Sequence, residues 1–168
     1  MQESAYPEPS AKTGFAGNPL DRLSERRDDP TFVASLRRDP TTRLILFQRD
    51  VPVVRKVGPD HTAFFTYAAA ARLGDPRDLA LLGRTETGAI FAARLDMDAM
   101  IAESDAIVAV DLRTLALQGL LPAPQIGMLA QAKSLMHWHA RHRFCANCGQ
   151  MTELASAGWR RHCAACGA

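Results

Sequence analysis

Four cysteines are the residues of this chain best placed to do chemistry, and all four fall in Cys145-Ala-Asn-Cys148-Gly149 and Cys163-Ala-Ala-Cys166-Gly167. Two thiolates three positions apart can grip one metal ion from a single tight turn. A glycine directly after the second cysteine can take a positive φ, which turns backbone N–H groups toward sulfur. Fourteen residues, 149 to 162, separate the pairs, just under the usual span for paired zinc sites. Two such knuckles joined by a short hairpin make a zinc ribbon. Cys145, Cys148, Cys163 and Cys166 are therefore expected to hold one structural zinc. A closed shell of four sulfurs leaves no open coordination position, so catalysis at that ion is not expected. Its role would be to fold residues 144–168, which lack a core of their own, through a binding free energy of roughly 10–16 kcal/mol.

Other readings of the same region compete with this one. A redox Cys-x-x-Cys normally opens a helix after a strand, and two copies each followed by glycine do not fit that setting. Disulfides are not expected, because the opening MQESAYPEPSAKTG lacks the apolar run of a secretory signal. His137, His139, His142 and His162 crowd the same stretch. His137 and His139 lie two apart on a helix and face different ways, so a partly solvated helix end is expected rather than a second metal site. Arg141, Arg143, Arg160 and Arg161 make the ribbon locally basic. They are read as a solvated rim in preference to an RNA or phosphate contact. Trp159 and Phe144 are expected to pack the ribbon against the preceding helix.

The rest of the chain must position this site. Of its 168 residues 47% are hydrophobic and 23% charged, enough to bury an ordinary core in one domain with a small appendage. A formal net charge of +2 argues against bulk binding to nucleic acid or a membrane surface. The longest apolar run, residues 62–71, is far too short to span a bilayer, so no membrane partner and a cytoplasmic location are expected.

Residues 1–14 are proline- and serine-bearing and read as a flexible tail. Residues 15–40 hold Phe15, Leu20, Leu23, Phe32, Val33 and Leu36 as candidate core, broken by Asp-Pro at 29–30 and 39–40 into short helical turns. Strands are expected over 43–48, at 53–54, over 61–68, and at 78–83 and 88–94 as a hairpin with a four- to five-residue loop, then over 106–110. Asp111 could cap a short helical turn ended by Gly119. From about Ile126 to Arg141, Leu129, Ala132, Met136 and Ala140 recur as one face of a longer helix. The fold class is thus α+β: a mostly antiparallel sheet domain over 15–122, a connecting helix over 123–143, and a four-cysteine zinc ribbon over 144–168.

The passage AKSLMHWHARHRFCANCGQMTELASAGWRRHCAACG resembles the corresponding segment of the NADH pyrophosphatase family of Nudix hydrolases, upstream of its catalytic domain. GFAGNPLDRLSERRDD resembles the start of that family's N-terminal domain, and LALLGRTETGAIFAARLD its central hairpin. The resemblance implies that the four cysteines are zinc ligands and that the parent protein is a homodimer. It also implies that the parent cleaves the pyrophosphate of NAD(H) to nicotinamide mononucleotide and AMP, and in some members removes NAD caps from RNA. No catalytic residue carries over.

A Nudix box needs closely grouped glutamates and an Arg-Glu pair to hold divalent metal against the pyrophosphate. The six glutamates here are Glu3, Glu8, Glu25, Glu86, Glu103 and Glu153, and no two are adjacent. The box is missing, so Mg or Mn is expected only in a C-terminal Nudix domain outside this sequence. The expectation is a truncated, non-catalytic scaffolding and dimerisation portion of an NAD(H) pyrophosphatase. The alternative is a stand-alone zinc-ribbon module that binds RNA or protein.

Overall fold

The computed structural model describes residues 9–95 and 106–168. The expected tail falls partly outside them. Its described part contains a 3-10 turn at Pro9–Lys12. Helix α1, Pro30–Arg38, starts where the Asp29 carboxylate accepts the Phe32 N–H at 2.9 Å and Pro30 takes the first helical position. Five elements then follow in quick succession: β1 Arg43–Gln48, β2 Val51–Val57, β3 Asp60–Thr62, β4 Phe64–Phe65 and α2 Tyr67–Leu73. Next come β5 Arg77–Thr85, β6 Gly88–Leu95, β7 Ile107–Ala109 and α3 Leu112–Leu117. The long helix α4, Ala123–Arg141, leads to β8 Glu153–Ala155, a 3-10 turn at Ser156–Gly158, and β9 Arg160–His162.

The main sheet runs β3-β2-β1-β6-β5, with β4 also pairing β1 and β7 pairing β2. Every pairing is antiparallel except the central one, where β1 and β6 run parallel from Arg43↔Ile90 to Gln48↔Leu95. A parallel centre needs both faces covered, and the alternation of side chains supplies two cores. Ile45, Phe47, Val54, Leu82, Ile90 and Ala92 face α3 and α4, where Leu115, Leu129, Ala132 and Met136 meet them. Leu44, Leu46, Val53, Leu81, Phe91 and Ala93 face α1 and α2 through Val33, Leu36 and Ala70. The result is an α+β mixed sheet between two helical layers.

Several expectations need correction. Residues 67 and 68, expected to end a strand, instead open helix α2. Thr66 caps it by accepting the Ala69 N–H, and the alanine run favours helix over the aromatic-rich lead-in. The β5–β6 loop is only Glu86-Thr87, since Thr85 pairs with Gly88. Phe15 stays 46% exposed and does not reach either core. On α4 the buried face passes from Met136 to His139, while Ala140 is exposed. No helix among the described residues is long and apolar enough to cross a membrane.

Candidate metal centre

The two cysteine knuckles are built alike. In the first, the Gly149 N–H donates to the Cys145 carbonyl at 2.8 Å and the Cys145 N–H to the Gln150 carbonyl at 2.7 Å. In the second, the Gly167 N–H donates to the Cys163 carbonyl at 2.9 Å and the Cys163 N–H to the Ala168 carbonyl at 2.8 Å. Gly149 and Gly167 both have φ of 76°, the conformation expected from their place after the second cysteine. A Cβ on either would meet nothing within 4 Å, so it is the backbone angle, not crowding, that favours glycine there.

The four Sγ atoms lie within 4.8 Å of one another. The Cys145–Cys166 and Cys148–Cys163 sulfurs approach to 3.6 and 3.5 Å. A tetrahedral site with zinc–sulfur bonds near 2.3 Å has sulfur–sulfur edges of about 3.8 Å, so the cluster fits one such ion. Cys145 and Cys163 are buried, and Cys148 and Cys166 face solvent. The Ala168 backbone N–H, then the Asn147 side chain and the thiols of Cys145 and Cys148, lower the Cys166 pKa to about 6. Cys148 goes the other way. The Gln150 N–H acts to lower it, yet the thiols of Cys163, Cys166 and Cys145 together push it up to about 12.

The ribbon is clamped to the sheet at its hairpin turn. Ser156, Ala157 and Gly158 have φ of 50°, 50° and 90° in succession. For the two non-glycine residues this costs roughly 1–2 kcal/mol each. The strained turn is held by Ser156 Oγ donating to Asp28 at 2.6 Å and by close packing of Gly158 on β5. A Cβ on Gly158 would sit 2.5 Å from Ala80 Cβ and 2.6 Å from Ala80 Cα. Trp159 Nε1 donates to the Leu81 carbonyl at 2.5 Å, and the Arg27 guanidinium stacks 3.8 Å over its ring. Trp159 thus fastens the ribbon to the sheet, whereas Phe144, expected to pack on the helix, is 65% exposed.

His139 is the residue that sequence reasoning missed. It is 1% exposed and sits between helix, sheet and ribbon, not at a solvated helix end. Its Nε2 lies 2.8 Å from the Gly158 carbonyl, and Arg161 Nη1 approaches its Nδ1 at 3.3 Å. A guanidinium only donates, so Nδ1 accepts and the proton resides on Nε2, which donates to Gly158. Burial is the main cause of its lowered pKa. The Gly158 carbonyl and Asp78 oppose the shift, and Arg161 and Arg94 add to it. The signal lay in spacing, since His139 follows Ala132 and Met136 at steps of four and three along one face.

The other polar residues separate. His137 pairs with Asp50 at 2.8 Å and His142 Nδ1 lies 2.9 Å from the Trp138 carbonyl, so neither joins the thiol cluster. Arg161 is no part of a solvated rim. It donates through Nε to the Thr152 hydroxyl at 2.6 Å and through Nη2 to the Thr152 carbonyl at 2.8 Å. Burial lowers its pKa first, with Asp78 opposing and Arg143 and Arg94 adding to the shift. Arg160, its neighbour on β9, lines a different depression beside α1.

Comparison with known proteins agrees with this geometry. Residues 41–138 match the family described as an NADH pyrophosphatase-like rudimentary NUDIX domain, and residues 140–168 match the NADH pyrophosphatase zinc ribbon domain. Over 43 residues the chain is 40% identical to the NAD-capped RNA hydrolase NUDT12 of Homo sapiens and of Macaca fascicularis, and 37% identical to that of Pongo abelii. Each match covers 26% of this chain and only 9% of the relative. The chain belongs to the NADH pyrophosphatase-like family, as a rudimentary NUDIX domain joined to that family's zinc ribbon.

Proposed function

We propose that this chain is the non-catalytic scaffold of an NAD(H) pyrophosphatase, with Cys145, Cys148, Cys163 and Cys166 as ligands of one structural zinc. When bound, the ion supplies the cross-link that residues 144–168 cannot make from apolar burial. The chain's own residues do the rest. Trp159, Gly158 and His139 fix the ribbon on the sheet, so whatever follows Ala168 starts from a defined place. The division into a sheet domain over 15–122, helix over 123–143 and ribbon over 144–168 belongs to this reading. So do homodimerisation and a cytoplasmic setting.

Hydrolysis of the pyrophosphate of NAD(H), or removal of NAD caps from RNA, would be the work of a Nudix domain that brings its own Mg or Mn. The observation that carries the reading is the junction of ribbon and sheet through Gly158 and Trp159, which unites the two matched domains in one body. The glutamate count supports it from the chemical side, since the six glutamates are scattered through the sequence. Recruitment of RNA by Arg141, Arg143, Arg160 and Arg161 as one patch has less support, because Arg160 and Arg161 point to opposite faces of β9.

The pure 168-residue chain is expected to carry one zinc and to leave NADH intact with Mg²⁺ or Mn²⁺. Elemental analysis and chromatography of the nucleotide products test both points. Release of nicotinamide mononucleotide and AMP would overturn the scaffold reading, and substoichiometric zinc in a folded ribbon would overturn the ligand assignment.

A further inference from the structure

Each cysteine knuckle presents one buried and one exposed sulfur, Cys145 with Cys148 in the first and Cys163 with Cys166 in the second. Two close approaches run between the knuckles, and each joins an exposed sulfur to a buried one. Cys166 lies 3.6 Å from Cys145, and Cys148 lies 3.5 Å from Cys163. Zinc ligands are thiolates, and a thiolate is also the form of cysteine that oxidants attack. An oxidant that reaches an exposed sulfur thus finds a second reducing sulfur on the opposite knuckle.

The backbone favours the same pairing. Each knuckle turn is fixed by two hydrogen bonds, Gly149 to Cys145 and Cys145 to Gln150 in the first, Gly167 to Cys163 and Cys163 to Ala168 in the second. Drawing the two sulfurs of one knuckle into bonding distance works against those bonds. Bringing the knuckles together leaves both turns intact, and the clamp at Gly158 and Trp159 sits at the far end of the β8–β9 hairpin.

We infer that the ribbon is a site of oxidation by peroxides, which replaces the metal with two cross-knuckle disulfides, Cys145–Cys166 and Cys148–Cys163. In each, the exposed thiolate attacks one oxygen of hydrogen peroxide. The O–O bond breaks, hydroxide leaves, and the sulfur becomes a sulfenic acid. The buried thiolate opposite then attacks that sulfur, so the S–S bond forms, the S–O bond breaks and a second hydroxide leaves. Two sulfurs give up two electrons, the peroxide accepts them, and two solvent protons convert both hydroxides to water. Two peroxides therefore consume all four ligands and release the Zn²⁺. The inference rests on the ligand assignment above.

Hydrogen peroxide added to the zinc-loaded chain tests it, with a chromogenic chelator reading the free metal. Zinc content before oxidation keeps the two readings apart. Substoichiometric zinc would defeat the ligand assignment, whereas full zinc that peroxide fails to release overturns only this inference. Trypsin cuts after Arg143, Arg160 and Arg161, so each knuckle stays whole in its own peptide, 144–160 or 162–168. Digested without reductant, the two peptides from the oxidised chain are expected to stay joined and to part on reduction, the intact chain having kept the mass of a monomer. After one equivalent of peroxide, alkylation is expected to find the remaining thiols at Cys145 and Cys166 or at Cys148 and Cys163. Separate peptides that each hold an internal disulfide overturn the inference. Disulfides between chains do so too, as do remaining thiols in any other combination. The oxidised, metal-free chain should also keep hydrogen-exchange protection at the Cys145 and Cys163 amides. Loss of that protection on oxidation would show that the disulfides do not stand in for the metal, and would overturn it as well.

Discussion

Along β6, seven of eight residues are buried, whereas across residues 144–168 only Cys145, Gly158 and Cys163 are. The sheet is covered on both faces, so Leu44 and Ile45, neighbours in sequence, enter different cores. The ribbon is too thin for that. Phe144 and Met151 face each other across a single bridge and remain 65% and 60% exposed. Apolar burial at about 25 cal/mol per Å² can hold the first region and offers the second almost nothing. The ribbon must draw its stability from its metal and from its clamp on β5, and those two sources can be separated by experiment.

Removing the metal should have the largest effect. Chelation at neutral pH is expected to unfold residues 144–168 while the sheet stays folded, because metal binding accounts for roughly 10–16 kcal/mol in structural zinc sites. Hydrogen exchange read residue by residue would show protection lost at the Cys145 and Cys163 amides and kept along β1 and β6. Simultaneous loss in both regions would mean that the sheet, too, depends on the ion, and the contrast drawn here would fail.

The clamp comes next. Gly158→Ala places a Cβ against the Ala80 backbone and forces alanine to a φ of 90°, so a cost of about 2–4 kcal/mol is expected. The metal should stay bound, since Gly158 belongs to neither knuckle. Trp159 should lose its bond to the Leu81 carbonyl and its emission should shift to the red. Unaltered emission together with an unaltered melting temperature would show that the turn is not seated as described.

The contrast between the regions also governs what could be read in the sequence. The knuckles were legible because their chemistry is local: cysteine spacing and one glycine bring the four thiols together and fix the backbone angle. Strand existence was legible from runs such as LILF and AIFAA. The parallel pairing of β1 with β6 was not, because Arg43↔Ile90 joins residues far apart in sequence and nothing local announces direction. The start of helix α2 at Tyr67 was read as the end of a strand because FFTY has strand-like residues, and the Thr66 cap outweighed them. Phe144 looked like a packing residue by type alone, yet the ribbon has no surface to bury it. His139 looked polar by type and is buried by position, since helical phase places it under the ribbon turn.

His139 gives the smallest expected effect and the most direct link between the two regions, because it belongs to α4 and bonds the ribbon turn. Its folded-state pKa is lowered, chiefly by burial, while the undocked form titrates near the ordinary 6.5. As pH falls through 6.5 the undocked form takes up a proton that the docked form refuses. Docking is therefore strongest above that pH and weakens below it, down toward the folded-state pKa. Arg161 and Arg94 beside the ring favour the neutral form, and Asp78 and the Gly158 carbonyl oppose them, so the net sign is set by burial. Thiolate protonation also loosens the metal in acid, which makes the wild-type curve alone ambiguous. A His139→Gln variant can still donate to Gly158 but cannot titrate. With metal saturating, the denaturant midpoint of ribbon undocking should fall more steeply in wild type than in the variant between about pH 7.5 and 5.5. Parallel curves would mean that the His139 proton is indifferent to docking, and the clamp would then rest on Gly158 and Trp159 alone.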